Sequence, residues 1–449
     1  MVIDSQQHQN YGFACPLTYA LYAEINNSAE ILVKFSINES WEKLPESNAE
    51  KPGSTPEMVR FEYDKNLAFV SVAFNAESDS LFIKIIESGN TLPIKFQQIC
   101  PYFDNRKTAV TLSADDMAGW SQAKFEIALA ITRSYNLWVT CAINTNGAGP
   151  STYAYIQNQL DSGYVEAGCH SRSHPAAAPY DDYEWEITGN RDDIILNLDL
   201  PALFKKGDKE FVYSWIAPNG YVDDTIESIV GREKFLVNRL YESGYFGFPD
   251  WNEETGYYEP VGVARAFDPP RERLGWGIGS DDIDDLNGAF DQAYETGEVY
   301  HVMCHPNVVE WDSSYTWDHL EYISNRDDVW YVSLGQLFLY HYAEQNYTIN
   351  PTIVEKYQAE NPVSFQLAQN YPNPFNSGTT ITYSLKNSGE VELSIYDLTG
   401  QRIHKLASGR QSAGEHQSYW DAIESASGVY IYRLQVGELS EIKKMILVK

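Results

Sequence analysis

Four short segments of the sequence carry the residues with the most chemical potential, and each follows an apolar, β-rich run. They are Ser113–Asp116, His170–His174, Ala217–Gly220 and Met303–Pro306. Together they supply two adjacent carboxylates, two histidines with three residues between them, a tight turn and a late lone histidine. A metal-assisted hydrolase needs such groups to hold a divalent ion, to accept a proton from water and to protonate a leaving group.

The adjacent carboxylates are Asp115 and Asp116. Two neighbouring carboxylates at the end of a strand can divide the work, because one can ligate a metal while the other accepts a proton. The alternative is a solvated loop or a helix cap. The chain contains six further Asp-Asp pairs, so this pair alone is weak evidence.

The histidine pair is stronger evidence for a metal site. His170 and His174 can present both imidazoles to one ion, and Asp116 would add an oxygen ligand. Two nitrogens and one oxygen suit Zn²⁺ or another divalent transition metal, with positions left open for water and substrate. The alternative is a pair of surface histidines. The chain has only nine histidines, and two at ligand spacing beside a predicted strand end favour a site.

The remaining motifs indicate a function only in combination with the carboxylate and histidine pairs. Pro218 and Asn219 belong to a predicted turn whose backbone N–H could help to hold an oxyanion. His305 is a candidate acid for the leaving group, although a lone histidine at a strand end is often structural.

The elements that must position these groups are predicted from hydrophobic periodicity. Residues 12 to about 98 alternate with period two between turn clusters, which predicts an antiparallel β-sandwich. From Thr108 onward strands alternate with helices, including a predicted helix at Thr225–Tyr241. This alternation predicts a parallel sheet in a distorted (β/α)-barrel, whose chemistry sits at the C-terminal ends of the strands. All four segments fall at such ends.

The amino-acid composition restricts the kinds of partner that the protein can bind. The net charge of −31, from 63 acidic and 32 basic residues, argues against nucleic acid and against an anionic membrane surface. No apolar run approaches the ~20 residues that a membrane-spanning helix requires. The five cysteines show no CxxC spacing, so a thiolate zinc site is not expected. A disulfide between Cys15 and Cys100 is left open.

The ordered set of motifs resembles the polysaccharide deacetylases, the NodB-like enzymes of carbohydrate esterase family 4 type, over about residues 103–343. The resemblance implies that Asp115 is the general base and His305 the general acid. It implies that the metal ligands are Asp116, His170 and His174. One departure is Ile216, which stands where the family usually has an arginine that holds the base. Another is the family's Asp-Trp segment, for which the sequence offers only Asp250 and Trp251. Their aromatic-rich stretch could form a stacking platform for sugar rings. An aromatic core beneath a loop explains it equally well.

The C-terminal segment resembles the type IX secretion (Por) sorting domain of Bacteroidetes proteins. The motifs that carry the resemblance are Asn370–Asn376, Ile395–Gly400, Gly414–His416 and Ser427–Arg433. The resemblance implies an address that the type IX machinery reads during export, and hence a secreted or surface protein whose leader has been removed. The alternative is a carbohydrate-binding β-sandwich.

These observations predict a multidomain chain. The expected parts are an N-terminal β-sandwich at 1–102, a NodB-type barrel at 103–345, a linker at 346–364 and a small sorting β-sandwich at 365–449. The expected activity is metal-dependent removal of N- or O-acetyl groups from a glycan. Two alternatives remain: a glycan-binding protein on a decayed scaffold, motivated by Ile216, and an esterase for non-sugar acyl esters.

Overall fold

The structure is a computed structural model that describes most of the chain. The described residues are 2–4, 16–35, 39–47, 57–73, 80–252, 254, 256–268, 280–309, 311–346, 366–385, 389–411, 414–423, 425–437 and 439–449. The chain divides into two compact units, Met1–Pro351 and Thr352–Lys449. Cys15 and nearly all of the predicted linker lie outside the described residues.

The N-terminal part of the first unit contains two antiparallel sheets. Strands β1–β9 are Val2–Asp4, Leu17–Tyr22, Ala29–Lys34, Glu42–Lys43, Met58–Glu62, Leu67–Val72, Ser80–Glu87, Asn90–Leu92 and Lys95–Ile99. One sheet has the order β1-β7-β3-β4, with β8 beside β7, and the other has the order β5-β6-β2-β9. The alternating apolar residues of β2, β3, β6 and β7 supply buried side chains, as period-two patterning requires.

The rest of the first unit alternates strands and helices. Strands β10–β22 are Thr108–Met117, Val139–Ile143, Val165–Cys169, Lys205–Lys206, Lys209–Glu210, Ser214–Ile216, Val237–Ser243, Trp251–Asn252, Tyr257–Tyr258, Val261–Val263, Arg265–Ala266, Val299–Cys304 and Val329–Tyr331. Helices α1–α8 are Gln122–Ser134, Pro150–Ser162, Tyr183–Glu186, Thr188–Asn197, Asp224–Arg232, Ile283–Thr296, Ser314–Ile323 and Leu334–Asn346.

The main sheet is parallel and closes on itself through residues 261–266. Its order is β19-β16-β15-β12-β11-β10-β21-β20, with β22 also paired to β10. β19 pairs with β16 and β20 pairs with β21, while the Ala264 N–H between them donates to the His301 carbonyl at 2.7 Å. β11, β12 and β21 are buried along their whole length, as expected for parallel strands covered by helices.

One predicted element is wrong, and it matters for the site. The hydrophobic pattern predicts a helix over Thr225–Tyr241, but α5 ends at Arg232 and a strand, β16, begins at Val237. Lys234 adopts a left-handed backbone (φ 66°) that ends the helical path. The β-branched and apolar residues that follow then join the sheet next to β15. Two inward-facing residues of the site come from this strand.

Helix α8 is anchored at the base of the barrel by a buried carboxylate. Glu166 on β12 accepts hydrogen bonds from the N–H groups of Gly335 (2.9 Å) and Gln336 (3.3 Å), and from the Ser214 hydroxyl at 2.8 Å. A negative charge at a helix N-terminus also meets the positive end of the helix dipole. Farther along α8, the Tyr340 hydroxyl donates to the Cys100 carbonyl at 2.8 Å, so the helix also contacts the N-terminal sheets.

The second unit is a separate β-rich body. Strands β23–β29 are Gln366–Leu367, Gly378–Leu385, Gly389–Tyr396, Arg402–Gln411, Gly414–Asp421, Gly428–Val436 and Leu439–Leu447. They form two antiparallel sheets of order β23-β24-β27 and β26-β25-β28-β29. Alternating residues of β25 and β28, namely Leu393, Ile395, Tyr430 and Tyr432, are buried in one cluster and form part of its core.

The described helices include none that is both long and apolar enough to cross a membrane. The four described cysteines, Cys100, Cys141, Cys169 and Cys304, are free and buried. Burial raises the pKa of the Cys100 thiol to about 12, so it is protonated and unreactive at neutral pH.

Candidate active site

The two adjacent carboxylates are directed by a bulge near the end of β10. Ala114 pairs with Cys141 and Met117 pairs with Ile143, so β10 spans this interval with one residue more than β11. Asp116 takes up the excess with a left-handed backbone, φ 71°. In a regular strand neighbouring side chains point to opposite faces, but a bulge redirects them. Asp115 and Asp116 therefore line the same cavity.

Asp116, His170 and His174 come together with the spacing of metal ligands. The Asp116 Oδ1 lies 3.7 Å from the His170 Nε2 and 3.5 Å from the His174 Nε2, and the three ligand atoms lie within 4.8 Å of one another. Ligands bound at about 2.1 Å with tetrahedral angles lie about 3.4 Å apart. The three side chains are thus already close to the separation that one small divalent ion would impose.

The environment of His170 supports this fit independently. Its ring is almost fully buried, and Nδ1 donates a hydrogen bond to the Ile216 carbonyl at 2.7 Å. A carbonyl can only accept, so Nδ1 carries the proton and Nε2 presents its lone pair. Nε2 has no hydrogen-bond partner in the described part of the chain. A buried, oriented and unsatisfied nitrogen facing a carboxylate is what a histidine ligand requires.

The protonation states of the other two ligands also suit a cation. Burial by itself raises the pKa of Asp116, but the neighbouring His170, His305 and His174 outweigh burial and lower the pKa to about 2. Burial and the nearby His170 lower the pKa of His174. Asp116 is therefore ionised and His174 neutral at physiological pH, as metal binding demands.

Asp115 is held by an arginine that the sequence analysis missed. Arg239, on β16, is fully buried and donates from Nη2 to the Asp115 Oδ1. The expectation that Ile216 leaves the base carboxylate without an arginine is therefore wrong, because the guanidinium arrives from the neighbouring strand. Burial raises the pKa of Asp115, but the neighbouring Arg239, His170 and His305 outweigh burial, and the pKa lies below its usual value.

The signal for Arg239 was present but assigned to the wrong element. An arginine within the run Phe235–Tyr241 is unremarkable in an amphipathic helix and unusual in a buried strand. Once residues 237–243 are recognised as a strand, the alternation places Arg239 and Tyr241 on the same face. Ile216, for its part, contributes the carbonyl that orients His170.

His305 follows β21 and is paired with a second carboxylate that the sequence analysis also missed. Asp268 accepts from the His305 ring Nδ1 at 2.5 Å and from the His305 backbone N–H at 2.8 Å. The His305 Nε2 lies 3.9 Å from the Asp115 Oδ2. Burial lowers the pKa of His305, but Asp268 and Asp115 more than offset burial and raise it to about 9. The imidazole is therefore protonated at neutral pH and can act as an acid.

The turn at Pro218–Gly220 closes another side of the same cavity. Asn219 lines it, with a left-handed backbone of φ 55°. The N–H groups of Gly220 and Tyr221 donate within the turn, to Ala217 and Pro218, and Pro218 has no N–H. Of the two residues assigned to the turn from sequence, Asn219 is thus the one with a backbone donor to offer.

Asp250 and Trp251 do not reach the cavity. Trp251 packs against Tyr258 and Tyr342, with ring centroids 5.1 and 4.9 Å away, and neither Asp250 nor Trp251 lines the cavities beside the ligands. The aromatic side chains that do line them are Tyr241 and Trp120. The aromatic-core interpretation therefore describes Trp251 better than the stacking platform does.

Two cavities meet at the candidate ligands. The smaller, about 90 Å³, is lined by both carboxylates, both histidine ligands, Ala217, Asn219, Tyr241 and His305. The larger, about 400 Å³, shares Asp116 and His174 and extends past Trp120. The larger volume lies within the usual range for ligand pockets.

Comparison with known proteins identifies the C-terminal segment. Residues 369–449 match the family profile of the secretion system C-terminal sorting domain. The predicted sorting domain is confirmed. A domain of this type indicates a secreted or cell-surface protein. No curated protein matches the chain.

Among solved structures, the chain is similar to carbohydrate esterase family 4 proteins. A family 4 pseudoenzyme from Bacillus anthracis is 13% identical with a TM-score of 0.34, covering 52% of this chain and 66% of that one. A family 4 acetyl xylan esterase from Clostridium thermocellum, solved with a cobalt ion, is 19% identical with a TM-score of 0.30, covering 51% and 90%. A Streptococcus mutans esterase of the same family is 13% identical with a TM-score of 0.31, covering 48% and 80%. At these scores the likeness does not by itself assign an activity.

Proposed function

We propose that the chain is a secreted, metal-dependent hydrolase that removes acetyl groups from a glycan. The observation that carries the proposal is the convergence on one cavity of three sets of side chains. They are the ligand set Asp116, His170 and His174, the ion pair Asp115–Arg239, and the ion pair His305–Asp268. Each set comes from different strands, and a purely structural role explains none of the three arrangements.

The ligand set would hold Zn²⁺ or a similar divalent ion. When bound, such an ion supplies a Lewis acid that polarises an acyl carbonyl and lowers the pKa of water toward neutrality. The protein contributes the orientation of its ligands. The Ile216 carbonyl fixes the His170 ring, and the bulge in β10 directs Asp116 toward it.

Asp115 is assigned the role of general base. Its lowered pKa keeps it ionised, and Arg239 donates a hydrogen bond to one of its oxygens, Oδ1. The other oxygen, Oδ2, is the one nearer to His305. A carboxylate held in this way can accept a proton from a water molecule that attacks the acyl carbon.

His305 is assigned the complementary role of general acid. Because Asp268 keeps its imidazole protonated, Nε2 can donate a proton to the departing amine or alkoxide. The pKa values of Asp115 and His305 are shifted in opposite directions by their partners, which is the usual way in which a site separates its base from its acid. The Asn219 backbone N–H is proposed to assist the developing oxyanion.

The alternative of a glycan-binding protein on a decayed scaffold was motivated by Ile216. That motivation no longer holds, since Arg239 occupies the position beside Asp115. The proposal therefore favours an enzyme, and the choice between glycan and non-sugar esters remains for experiment.

The test is metal analysis of the purified protein together with acetate release from acetylated glycans and from simple acetyl esters. We expect about one divalent ion per chain, loss of activity on chelation and recovery on adding Zn²⁺ or Co²⁺. His174→Ala is the variant to compare with the wild type, because it removes one candidate ligand from the rim of the site. A metal-free protein that still releases acetate would contradict the proposal, as would a metal-loaded protein that acts on no acetylated substrate.

A further inference from the structure

An exposed tryptophan stands beside the candidate metal ligands without a packing role that explains it. The Trp120 side chain is 66% exposed, the most exposed of the large aromatic side chains described in the first unit. It lines the larger cavity together with Asp116 and His174. Single exposed apolar residues are common on protein surfaces, so the position alone does not suffice. The construction of the turn that carries Trp120 is the second observation.

The turn of residues 118–121 is built rigidly onto the site. The Ala118 N–H donates to the Ser121 hydroxyl at 2.9 Å, and that buried hydroxyl donates to the Asp116 carbonyl at 2.6 Å. The Gly119 N–H donates to the Gly147 carbonyl at 2.8 Å. The backbone that carries Trp120 is thus fixed relative to Asp116 by hydrogen bonds. A ligand that binds an indole on a rigid turn has less backbone to order than one that binds on a mobile loop.

The contact between the two loops depends on the absence of side chains. A Cβ on Gly119 would lie 2.8 Å from the Gly147 carbonyl oxygen, and a Cβ on Gly147 would lie 3.1 Å from the Ala118 Cβ and 3.6 Å from the Trp120 ring. The two glycines therefore let the second loop approach the indole closely, and this loop forms one wall of the cavity.

The larger cavity forms a groove between Trp120 and the loop at Asn146–Gly147. The walls of this groove are polar but carry no free positive charge. Arg172 lines it, but its Nε and Nη2 donate to the two carboxylate oxygens of Asp193 at 2.7 and 2.6 Å. Asn146 and Ser173, both exposed, line the groove. The Asn146 amide can donate to or accept from a hydroxyl, and the Ser173 hydroxyl, which donates to the Glu186 carboxylate, can still accept one. Residues 1–365 contain 55 acidic and 24 basic residues, and so carry the whole net charge. An anionic ligand would be repelled, whereas a neutral one would not.

We infer that the groove between Trp120 and the loop at Asn146–Gly147 is a subsite for an uncharged pyranose ring of the acylated glycan. The ring would lie with its C–H face on the indole and its hydroxyls toward Asn146 and Ser173. Its neighbour in the glycan would then present its acyl group to the smaller cavity, since both cavities share Asp116 and His174. This inference rests on the proposed function and adds the substrate class to it.

The experiment compares a large and a small substrate in Trp120→Ala, Trp120→Phe and the control Trp317→Ala. Trp317 is another exposed tryptophan, on α7, and lines neither cavity. The large substrates are the neutral hexasaccharides of N-acetylglucosamine and of acetylated xylose, and the small one is 4-nitrophenyl acetate. We expect Trp120→Ala to reduce kcat/KM on the better hexasaccharide by about tenfold more than on the small ester, with Trp120→Phe retaining most of the activity.

Equal losses on both substrates, or a similar loss in Trp317→Ala, would overturn the subsite while leaving the proposed function intact. Cleavage of an acetylated oligogalacturonate as efficient as that of the neutral hexasaccharides would overturn the uncharged class. If the wild type cleaves no substrate, the proposed function fails. Calorimetric titration of the hexasaccharides then tests the subsite alone: binding lost in Trp120→Ala supports it, and binding unchanged or absent refutes it.

Discussion

At the residue scale, Asp115 and Asp116 are chain neighbours with the same side chain, and their surroundings separate their roles. Asp116 faces two imidazoles, whereas Asp115 is paired with Arg239 and lies near His305. His170 and His305 lower both pKa values against the effect of burial, with Arg239 adding to the shift at Asp115 and His174 to the shift at Asp116. Asp116 is therefore suited to bind a cation, and Asp115 is left to accept a proton.

Replacing Asp115 by asparagine should separate these roles. The variant keeps the shape of the side chain but has no basic oxygen, so we expect kcat to fall by about 10²–10⁴-fold. Metal content, measured by mass spectrometry, should stay near the wild-type value, because the ligands are intact. Asp116→Asn is the contrasting variant and should lose metal. Loss of metal in Asp115→Asn would reverse the assignment of the two carboxylates.

The pH dependence tests Asp268 as the residue that positions and charges His305. The acid must be protonated to act, so activity should fall as pH rises through the His305 pKa of about 9. In Asp268→Asn the negative partner is gone, and the pKa should move down toward the ordinary value of about 6.5. The alkaline limb of the kcat profile should shift to lower pH by the same amount. Asp318→Asn, a control at an exposed position on α7, should leave the limb in place. An unshifted limb in Asp268→Asn would remove His305 from the mechanism.

At the scale of elements, the site depends on local departures from regular structure. The bulge in β10 brings two adjacent side chains to one cavity, and the short helix α5 leaves room for β16 to deliver Arg239. The opposite end of the barrel is regular in comparison, and there Glu166 fastens α8 to β12. One end of the barrel thus carries the candidate active site, and the opposite end contributes to stability, as in other parallel barrels.

Removing the Glu166 carboxylate should destabilise the first unit without changing the candidate active site. Glu166→Ala leaves the N–H groups of Gly335 and Gln336 buried without a partner, which should lower the free energy of unfolding by about 3 kcal/mol. Glu321→Ala, on the exposed face of α7, should change it by less than about 0.5 kcal/mol. Denaturant unfolding followed by circular dichroism measures both. Equal effects would show that the buried carboxylate is not an anchor.

At the scale of the whole molecule, the chain has two compact units with different charge. Residues 366–449 contain eight acidic and eight basic residues, so the net charge of −31 belongs to the remainder. The hydrophobic core of the second unit consists of its own residues, from Leu367 to Leu447. The N-terminal sheets, by contrast, share a unit with the barrel and contact α8.

Truncation should show that the first unit does not need the second, whereas the barrel does need the N-terminal sheets. A chain ending near Asn361 should remain folded, bind metal and keep its kcat, because the second unit holds its own core. It should no longer be exported by a host with type IX secretion machinery. Removal of residues 1–102 should instead cause aggregation, because it exposes the surface of α8 around Tyr340. Loss of activity in the first truncation would assign the second unit to the enzyme.

Several features of the protein follow from the sequence alone. The strand–helix alternation, the candidate ligand set and the sorting domain could all be predicted from it, because each depends largely on residues that are close together in the chain or on a local periodicity. His170 and His174 are separated by three residues, and the sorting domain is recognisable from short motifs. The strand ends that place Asp116 beside them follow from the general geometry of parallel sheets.

Arg239 and Asp268 could not be predicted, because their roles depend on which strands become neighbours. Arg239 reaches Asp115 only because β16 lies across the barrel interior from β10, and the sequence around it suits a helix as well as a strand. Asp268 reaches His305 because residues 261–266 close the sheet next to β21. Closure and register are properties of the whole sheet. The sequence thus determined which side chains were available for chemistry, and the tertiary structure decided which charges pair with the proposed base, Asp115, and the proposed acid, His305.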